Sequence, residues 1–333
     1  MARWAWTLLL TALPALGTAQ AGPAPFAWHL PRGFPTPFVP ADNPMSAAKV
    51  ALGRRLFFET KLSVTGRYSC ASCHDPARSY TDGRARAVGA TGAVVPHSAM
   101  TLINVAYNLA YGWQHPQISS LEAQMRQPLF NRHPVEIGLS GREREVDAAL
   151  AADAGYAQRF AAVFGGAITT ARIIDAIAAF ERTLIAGHSD FDAYVFDGRH
   201  DALSPVAKHG MALFFSRRIG CAGCHSGFNF SGNWRDRDGP TGKAGFADDG
   251  LGVGRMRIPT LRNIALTAPY MHDGRFATLD AVLDHYERVG KLPSSARGGQ
   301  RDPRLKSFTL AKTEREALVA FLNSLTERPA RAP

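Results

Sequence analysis

Two five-residue stretches carry the most specific chemistry in this chain: Cys70-Ala71-Ser72-Cys73-His74 and Cys221-Ala222-Gly223-Cys224-His225. Two thiols three positions apart can add to the two vinyl groups of one porphyrin. The adjacent His then lies under the iron as a strong nitrogen ligand. Each motif is therefore read as the attachment site of one c-type haem. Zinc, a thioredoxin-like redox pair and structural disulfides are the competing chemistries. Zinc needs all four ligands in one cluster, and a redox pair has no need of a His after its second Cys. The motif occurs twice and uses all four cysteines of the chain, which favours haem.

The segments around these motifs must position them. Gly53-Arg54-Arg55-Leu56-Phe57-Phe58 precedes the first, and Gly210-Met211-Ala212-Leu213-Phe214-Phe215 precedes the second. This repeated element reads as a helix end packing aromatic rings beside a haem; a shared core helix is the plainer alternative, and both predict two domains. Helical patterns cover 46–58, 143–164 and 170–186. In the last, Ile173, Ile174, Ile177, Phe180 and Leu184 recur at helical spacing behind a Thr170 cap. A closing helix is marked by the capping-box pair Thr313 and Glu316 and by a stripe of Leu318, Phe321, Leu322 and Leu325. No segment alternates as a strand does, and 226–256, rich in Gly and Asp, reads as loop. Within it, Gly239-Pro240-Thr241-Gly242-Lys243 lacks both the spacing of a phosphate loop and a Ser or Thr after the Lys. Residues 187–203 mark the domain boundary. The expected fold is mainly α, with two cytochrome c-like domains, 46–198 and 199–333, each holding one covalently bound c-type haem.

Composition frames these readings. The chain has 333 residues, 46% hydrophobic and 20% charged, which describes a folded protein rather than a disordered one. Residues 1–21 read as a secretory signal: Arg3, an apolar run from Trp4 to Leu16, then Ala19-Gln20-Ala21 as the cleavage site. That run is shorter than the about 20 apolar residues of a membrane span. A periplasmic protein with no stable membrane span after cleavage is expected, an uncleaved anchor being the alternative. Residues 22–45, including Leu30-Pro31-Arg32-Gly33-Phe34-Pro35, form a Pro-rich extended lead-in. The net charge is +10, yet no basic run concentrates it, which argues against nucleic acid as a partner. Haem propionates offset part of this charge, and nearby Arg can pair with them. The remainder suits docking of an acidic protein.

With both haem motifs in place, residues 45 to 327 resemble the bacterial di-haem cytochrome c peroxidase family. The most specific stretch is Ile258-Pro259-Thr260-Leu261-Arg262-Asn263, followed by Leu266-Thr267-Ala268-Pro269-Tyr270-Met271-His272-Asp273-Gly274. Within the family the chain is similar to the MauG/MbnH-like branch, through its Pro-rich head, Asn43-Pro44-Met45-Ser46 and Tyr286. On a helix starting near Thr278, Leu279, Leu283 and Tyr286 share a face, and His285 points about 100° away. Family peroxidases have a Met ligand to the second haem iron at the Tyr286 position, whereas MauG-like enzymes have a Tyr. Tyr286 is therefore expected to ligate that iron; if it is only a core residue, Met256, Met271 or His285 ligates instead. A phenolate favours oxidised iron, so a Tyr-ligated haem suits storing an oxidising equivalent.

The resemblance implies more of the site. His74 would ligate the first haem iron, whose opposite face is open to peroxide, and His225 the second. Glu136, in Pro134-Val135-Glu136-Ile137-Gly138, matches the family's distal carboxylate, which moves a proton between the peroxide oxygens; an exposed or capping Glu is the alternative. Gln124 and Pro128 match residues shaping the same pocket, although the stretch from Pro128 to Glu136 is two residues longer than the family pattern. Trp113 matches the Trp placed between the haems as an electron relay; on its own it would read as packing. Trp28 and Trp234 are further surface candidates with no motif behind them. The family also holds calcium through an Asn side chain and two carbonyls. Thr267 and Pro269 fit the carbonyls, and Ser98 stands where the Asn is expected. The displaceable distal His of ordinary peroxidases has no counterpart near Ala90, and His97 is the nearest His.

These readings predict an exported di-haem oxidase that uses hydrogen peroxide to oxidise residues of a partner protein, both irons sharing the oxidising equivalents. For an MbnH-like protein, that partner would be a copper-binding exported protein with a modifiable Trp. Two alternatives stand beside this reading. One is a cytochrome c peroxidase drawing electrons from a small donor protein, and the other is a non-catalytic di-haem electron carrier.

Overall fold

The computed structural model describes residues 26–248, 255–292 and 302–327; the expected signal segment lies outside them. Among the described residues there are nine α-helices. They are α1 (Ala47–Phe57), α2 (Leu121–Phe130), α3 (Glu143–Ala151), α4 (Ala154–Phe164), α5 (Thr170–Glu181), α6 (Asp190–Val195), α7 (Pro205–Phe215), α8 (Leu279–Gly290) and α9 (Lys312–Asn323). Long connections with short 3₁₀ turns join them, and none is long and apolar enough to cross a membrane. The mainly helical expectation holds.

Local chemistry sets the helix ends. Ser46 and Thr278 accept hydrogen bonds from Lys49 N and Ala281 N, starting α1 and α8 where expected. Three expected boundaries are corrected. The pattern over 143–164 is two helices, because the Asp153 carboxylate accepts from Gly155 N and Tyr156 N and starts α4 afresh. The cap of α5 is Thr169, not Thr170, whose hydroxyl instead donates to Asp147; the helix ends at Glu181 rather than 186. The last helix starts at Lys312, and Glu314, not Glu316, reaches back to the Ala311 N–H. The stretch 226–256 also contains strands. β1 (Arg235–Asp236) pairs antiparallel with β2 (Gly239–Pro240), and β3 (Phe246–Asp248) with β4 (Arg255–Arg257). Pairs this short show no alternation that a sequence can reveal.

Two core clusters form around two matched helix pairs. α1 crosses α5 and α7 crosses α9 with backbone against backbone. A Cβ on Gly53 would lie 1.8 Å from the Ala176 carbonyl oxygen, and one on Gly210 would lie 1.8 Å from that of Ala317. The repeated Gly is thus the contact point of a helix crossing. Of each Phe-Phe pair, the first ring is core: Phe57 sits 5.3 Å from Phe180, and Phe214 sits 5.1 Å from Phe321. Burying such a ring contributes roughly 1.5–3 kcal/mol. The second rings, Phe58 and Phe215, are exposed, so only half of each pair follows the expectation of rings packed inside. Phe191 of α6 packs with the second cluster.

A further repeat runs through the loops. Thr101-Leu102-Ile103-Asn104 and Thr260-Leu261-Arg262-Asn263 adopt the same turn. In each, the Thr hydroxyl accepts from the N–H two residues on, at 3.1 Å. Each Asn then takes a left-handed conformation at φ 57° before a 3₁₀ turn. The Asn N–H groups bond the carbonyls of Leu184 and Leu325, just past the ends of α5 and α9.

The clusters are also tied together. Asn104 donates to Asn229 Oδ1 at 3.0 Å, and Asn263 to Ser79 Oγ at 3.0 Å. The lead-in packs across both: Tyr107 donates to the Pro35 carbonyl at 2.8 Å, and Phe34 lies against Tyr107 and Phe228.

Candidate active site

Each Cys-x-x-Cys-His motif forms a single 3₁₀ turn on the wall of its own cleft. The first cleft encloses about 1720 Å³ of empty space, partly open to solvent, and is bordered by Cys70, Cys73 and His74. The second encloses about 1410 Å³ and is bordered by Cys221, Cys224 and His225, with Phe214, Ile219, Leu279, Leu283 and Phe308 as an apolar wall. The two histidines are held alike. His74 Nδ1 lies 3.0 Å from the Tyr80 carbonyl and His225 Nδ1 lies 2.9 Å from that of Phe230. A carbonyl only accepts, so a ring proton on Nδ1 would satisfy it and leave the Nε2 lone pair for a metal. Burial lowers both imidazole pKa values, which keeps the rings neutral. It raises all four thiols, Cys73 to about 11 and Cys221 to about 12, so the free thiols stay protonated. The motifs border separate clefts, and no metal-binding cluster of three His, Cys, Asp or Glu occurs among the described residues. Two thiols, a neutral imidazole and a largely apolar cleft fit one haem c on each side.

Beyond His74, the first cleft gathers the residues singled out in the sequence: Gln124 and Pro128 from α2, Glu136 and Trp113. The longer stretch after Pro128 loops out and returns, with Ile137 N–H on the Pro128 carbonyl at 2.9 Å. Glu136 is therefore brought back to the cleft rather than displaced. Its Oε1 accepts from Asn131 Nδ2 at 3.1 Å, and burial pushes its pKa up despite that bond. His97 also borders this cleft, with His115 and His133, whereas Ala90 does not. A residue the sequence reading missed is Glu181, fully buried at the end of α5 and pushed by burial up to about 8. Its counterpart in the repeat is Leu322, which borders the second cleft.

In the second cleft, α8 contributes Leu279, Val282, Leu283 and Tyr286 from one face. His285 turns away, buried against the Phe276 ring at 5.2 Å, as the helical register predicts. Met256 and Met271 border the same cleft as Tyr286.

Trp113 borders both clefts and a smaller one between them. Its indole N–H donates to the Ser98 carbonyl at 3.0 Å, and its ring lies 6.3 Å from that of His272, which lies 5.5 Å from His97. Ser98, Thr267 and Pro269 border that smaller cleft together, joined by Asn108, a side-chain oxygen donor the sequence did not flag. Trp28 and Trp234 are half-buried, and neither borders these three clefts.

Two matched clefts, each with its Cys-x-x-Cys-His turn, and an indole bordering both define a di-haem c-type oxidoreductase. Residues 47–201 match the family described as di-haem cytochrome c peroxidase. A methylamine utilization protein MauG from Methylorubrum extorquens is 37% identical over 310 residues, covering 87% of this chain and 82% of that protein. A cytochrome-c peroxidase IdrP1 from Pseudomonas sp. (strain SCT) is 32% identical over 361 residues, covering 96% and 91%. A crystal structure of a MauG-like protein associated with microbial copper homeostasis superposes with a TM-score of 0.85 at 35% identity, covering 91% of this chain and 96% of that one. The chain belongs to the di-haem cytochrome c peroxidase family, in its MauG-like branch. It is an oxidoreductase whose family implies two haem c groups and the use of peroxide.

Proposed function

We propose that this protein is exported to the periplasm and uses hydrogen peroxide to oxidise residues of a partner protein. The proposed domains are 46–198 and 199–333, each anchoring one haem, through Cys70, Cys73 and His74 and through Cys221, Cys224 and His225. Each haem, once attached, supplies an iron able to take oxidising equivalents from peroxide. The chain's own residues do the rest. The Glu136 carboxylate accepts a proton from the incoming peroxide and returns it to the departing oxygen, with Asn131 holding the group in place. Gln124 and Pro128 confine the peroxide, and Trp113 offers the electron path between the clefts. Overall, peroxide gains two electrons and two protons and becomes two waters, while the partner residue loses both. The likeness to a protein associated with copper homeostasis makes a copper-binding protein the first partner to try.

The observation that carries this reading is Tyr286 on the wall of the His225 cleft. An anionic oxygen there stabilises oxidised iron, which suits holding oxidising power rather than taking in electrons. Met256 and Met271 on the same wall favour the second reading, a peroxidase served by a small electron-donor protein. Replacement of Tyr286 by Phe decides between them. The expected result is a changed spectrum of the second haem and loss of partner oxidation, followed by mass spectrometry of the partner. An unchanged spectrum overturns the ligation, and two low-spin haems inert to peroxide would make the protein a carrier. Calcium is proposed for the cleft of Ser98, Thr267 and Pro269, whose oxygens are hard donors. Metal analysis of the purified holoprotein tests this, and finding no calcium overturns it.

A further inference from the structure

Arg257, at the end of β4, carries a charge that no carboxylate among the described residues neutralises. It borders both haem clefts and the smaller cleft between them. The residue is 8% exposed, and among the described residues no carboxylate pairs with it. Among the same residues its buried Nε has no hydrogen-bond partner, and one terminal nitrogen reaches only the Met100 sulfur, a weak acceptor, at 3.4 Å. The other two buried arginines among the described residues are paired, Arg182 with Glu122 at 2.6 Å and Arg262 with Asp192 at 2.8 Å. Burial brings the Arg257 pKa down to about 10, which leaves it a cation at neutral pH. Its backbone is fixed, since its N–H donates to the Trp113 carbonyl at 2.8 Å and it pairs with Phe246 across the ladder. Burial keeps nearby His97 and His272 neutral, so they add no competing charge.

A buried guanidinium with no carboxylate of its own is costly, and a planar fork is the group best matched to a carboxylate. Both clefts that it borders fit a haem, and a haem carries two carboxylates. We propose that Arg257 is a shared carboxylate receptor, its guanidinium holding a propionate of each haem beside Trp113 and raising the reduction potential of both. The proposal rests on haem attachment in both clefts as read above. The sign follows from charge: a cation opposes the extra positive charge of oxidised iron, so removing it favours the oxidised form.

Potentiometric titration of the holoprotein tests this, with haem content measured separately. R257Q is expected to keep two haems per chain and to lower the reduction equilibrium of each by about tenfold, about 59 mV for one electron. R257K, which keeps the charge but not the fork, is expected to hold both potentials while shifting the propionate bands in resonance Raman spectra. If R257Q does not accumulate, the R257K bands alone decide, and unshifted bands overturn the proposal. A fall in only one potential, or an equal fall in R257K, also overturns it. So does a shift of the wild-type propionate bands on adding acetate, which would mark an open anion site at Arg257. Fewer than two haems in wild type would instead defeat the reading on which the proposal rests.

Discussion

Glu136, half-buried, and Glu181, buried, are two carboxyls in one cleft, and desolvation raises both, yet their surroundings set different roles. Asn131 donates to Glu136 and partly offsets its burial, leaving a carboxyl that holds its proton to a higher pH than an ordinary Glu. E136Q is expected to slow the reaction with peroxide by about 10²–10⁴-fold while both haems remain. Stopped-flow rates should also fall in wild type as pH drops through a value above the ordinary Glu range, and that limb should vanish in E136Q. Glu181, pushed to about 8, is neutral in the folded state at pH 7. Between about pH 4.5 and 8 the folded state thus binds a proton that the unfolded state has lost. Stability is full below that window and falls as pH rises through it, at up to about 1.4 kcal/mol per pH unit. Denaturant unfolding should show this slope reduced in E181Q; an identical slope would refute the assignment. The Cys and His positions were legible because covalent attachment fixes their spacing. Glu181 was not, because nothing in Phe180-Glu181-Arg182 says which side chain faces a cleft.

At the scale of elements, the repeated Gly-x-x-Leu-Phe-Phe was legible as a repeat but not as a crossing. Its function depends on a partner more than a hundred residues away in the chain. G53A places a methyl against the Ala176 carbonyl and should cost about 1–3 kcal/mol or more as α1 and α5 are forced apart. Thermal unfolding of G53A and G210A, followed by haem absorbance, checks both crossings. The Thr-Leu-x-Asn turns were equally present in the sequence and were missed, since each alone is only a short polar loop. Their equivalence emerges once both Asn residues are seen to close on the ends of α5 and α9. Helix starts were predicted more closely than helix ends, α5 stopping at Glu181 rather than 186. The errors arose where two acceptors compete, as at Thr169 and Thr170, and geometry chose between them.

Across the whole molecule, the two clusters are joined by buried polar contacts rather than by a broad apolar seam. Arg262 ties the second cluster to the lead-in. It pairs with Asp192 of α6, donates to the Phe228 carbonyl at 2.8 Å and stacks its guanidinium 4.6 Å from the Phe34 ring of the lead-in. D192A would leave that cation buried and unpaired, at an expected cost of about 3–5 kcal/mol. Urea unfolding of the holoprotein measures it, and a loss below about 1 kcal/mol would show that the pair is dispensable. The contacts of the lead-in with Tyr107 and Phe228 could not be read from its prolines.

By itself, the sequence determined the chemistry that depends on neighbours along the chain. This includes the two haem motifs, the register of α8 that carries Tyr286 and turns His285 away, and the mainly helical class. Only the tertiary structure decided what depends on groups distant in the chain. It returned Glu136 to the His74 cleft, set Trp113 on the border of both clefts and left Arg257 buried between them without a carboxylate among the described residues. Spacing rules reach as far as a helical turn or a covalent bond, whereas burial and the pairing of charge are settled only when separate segments pack.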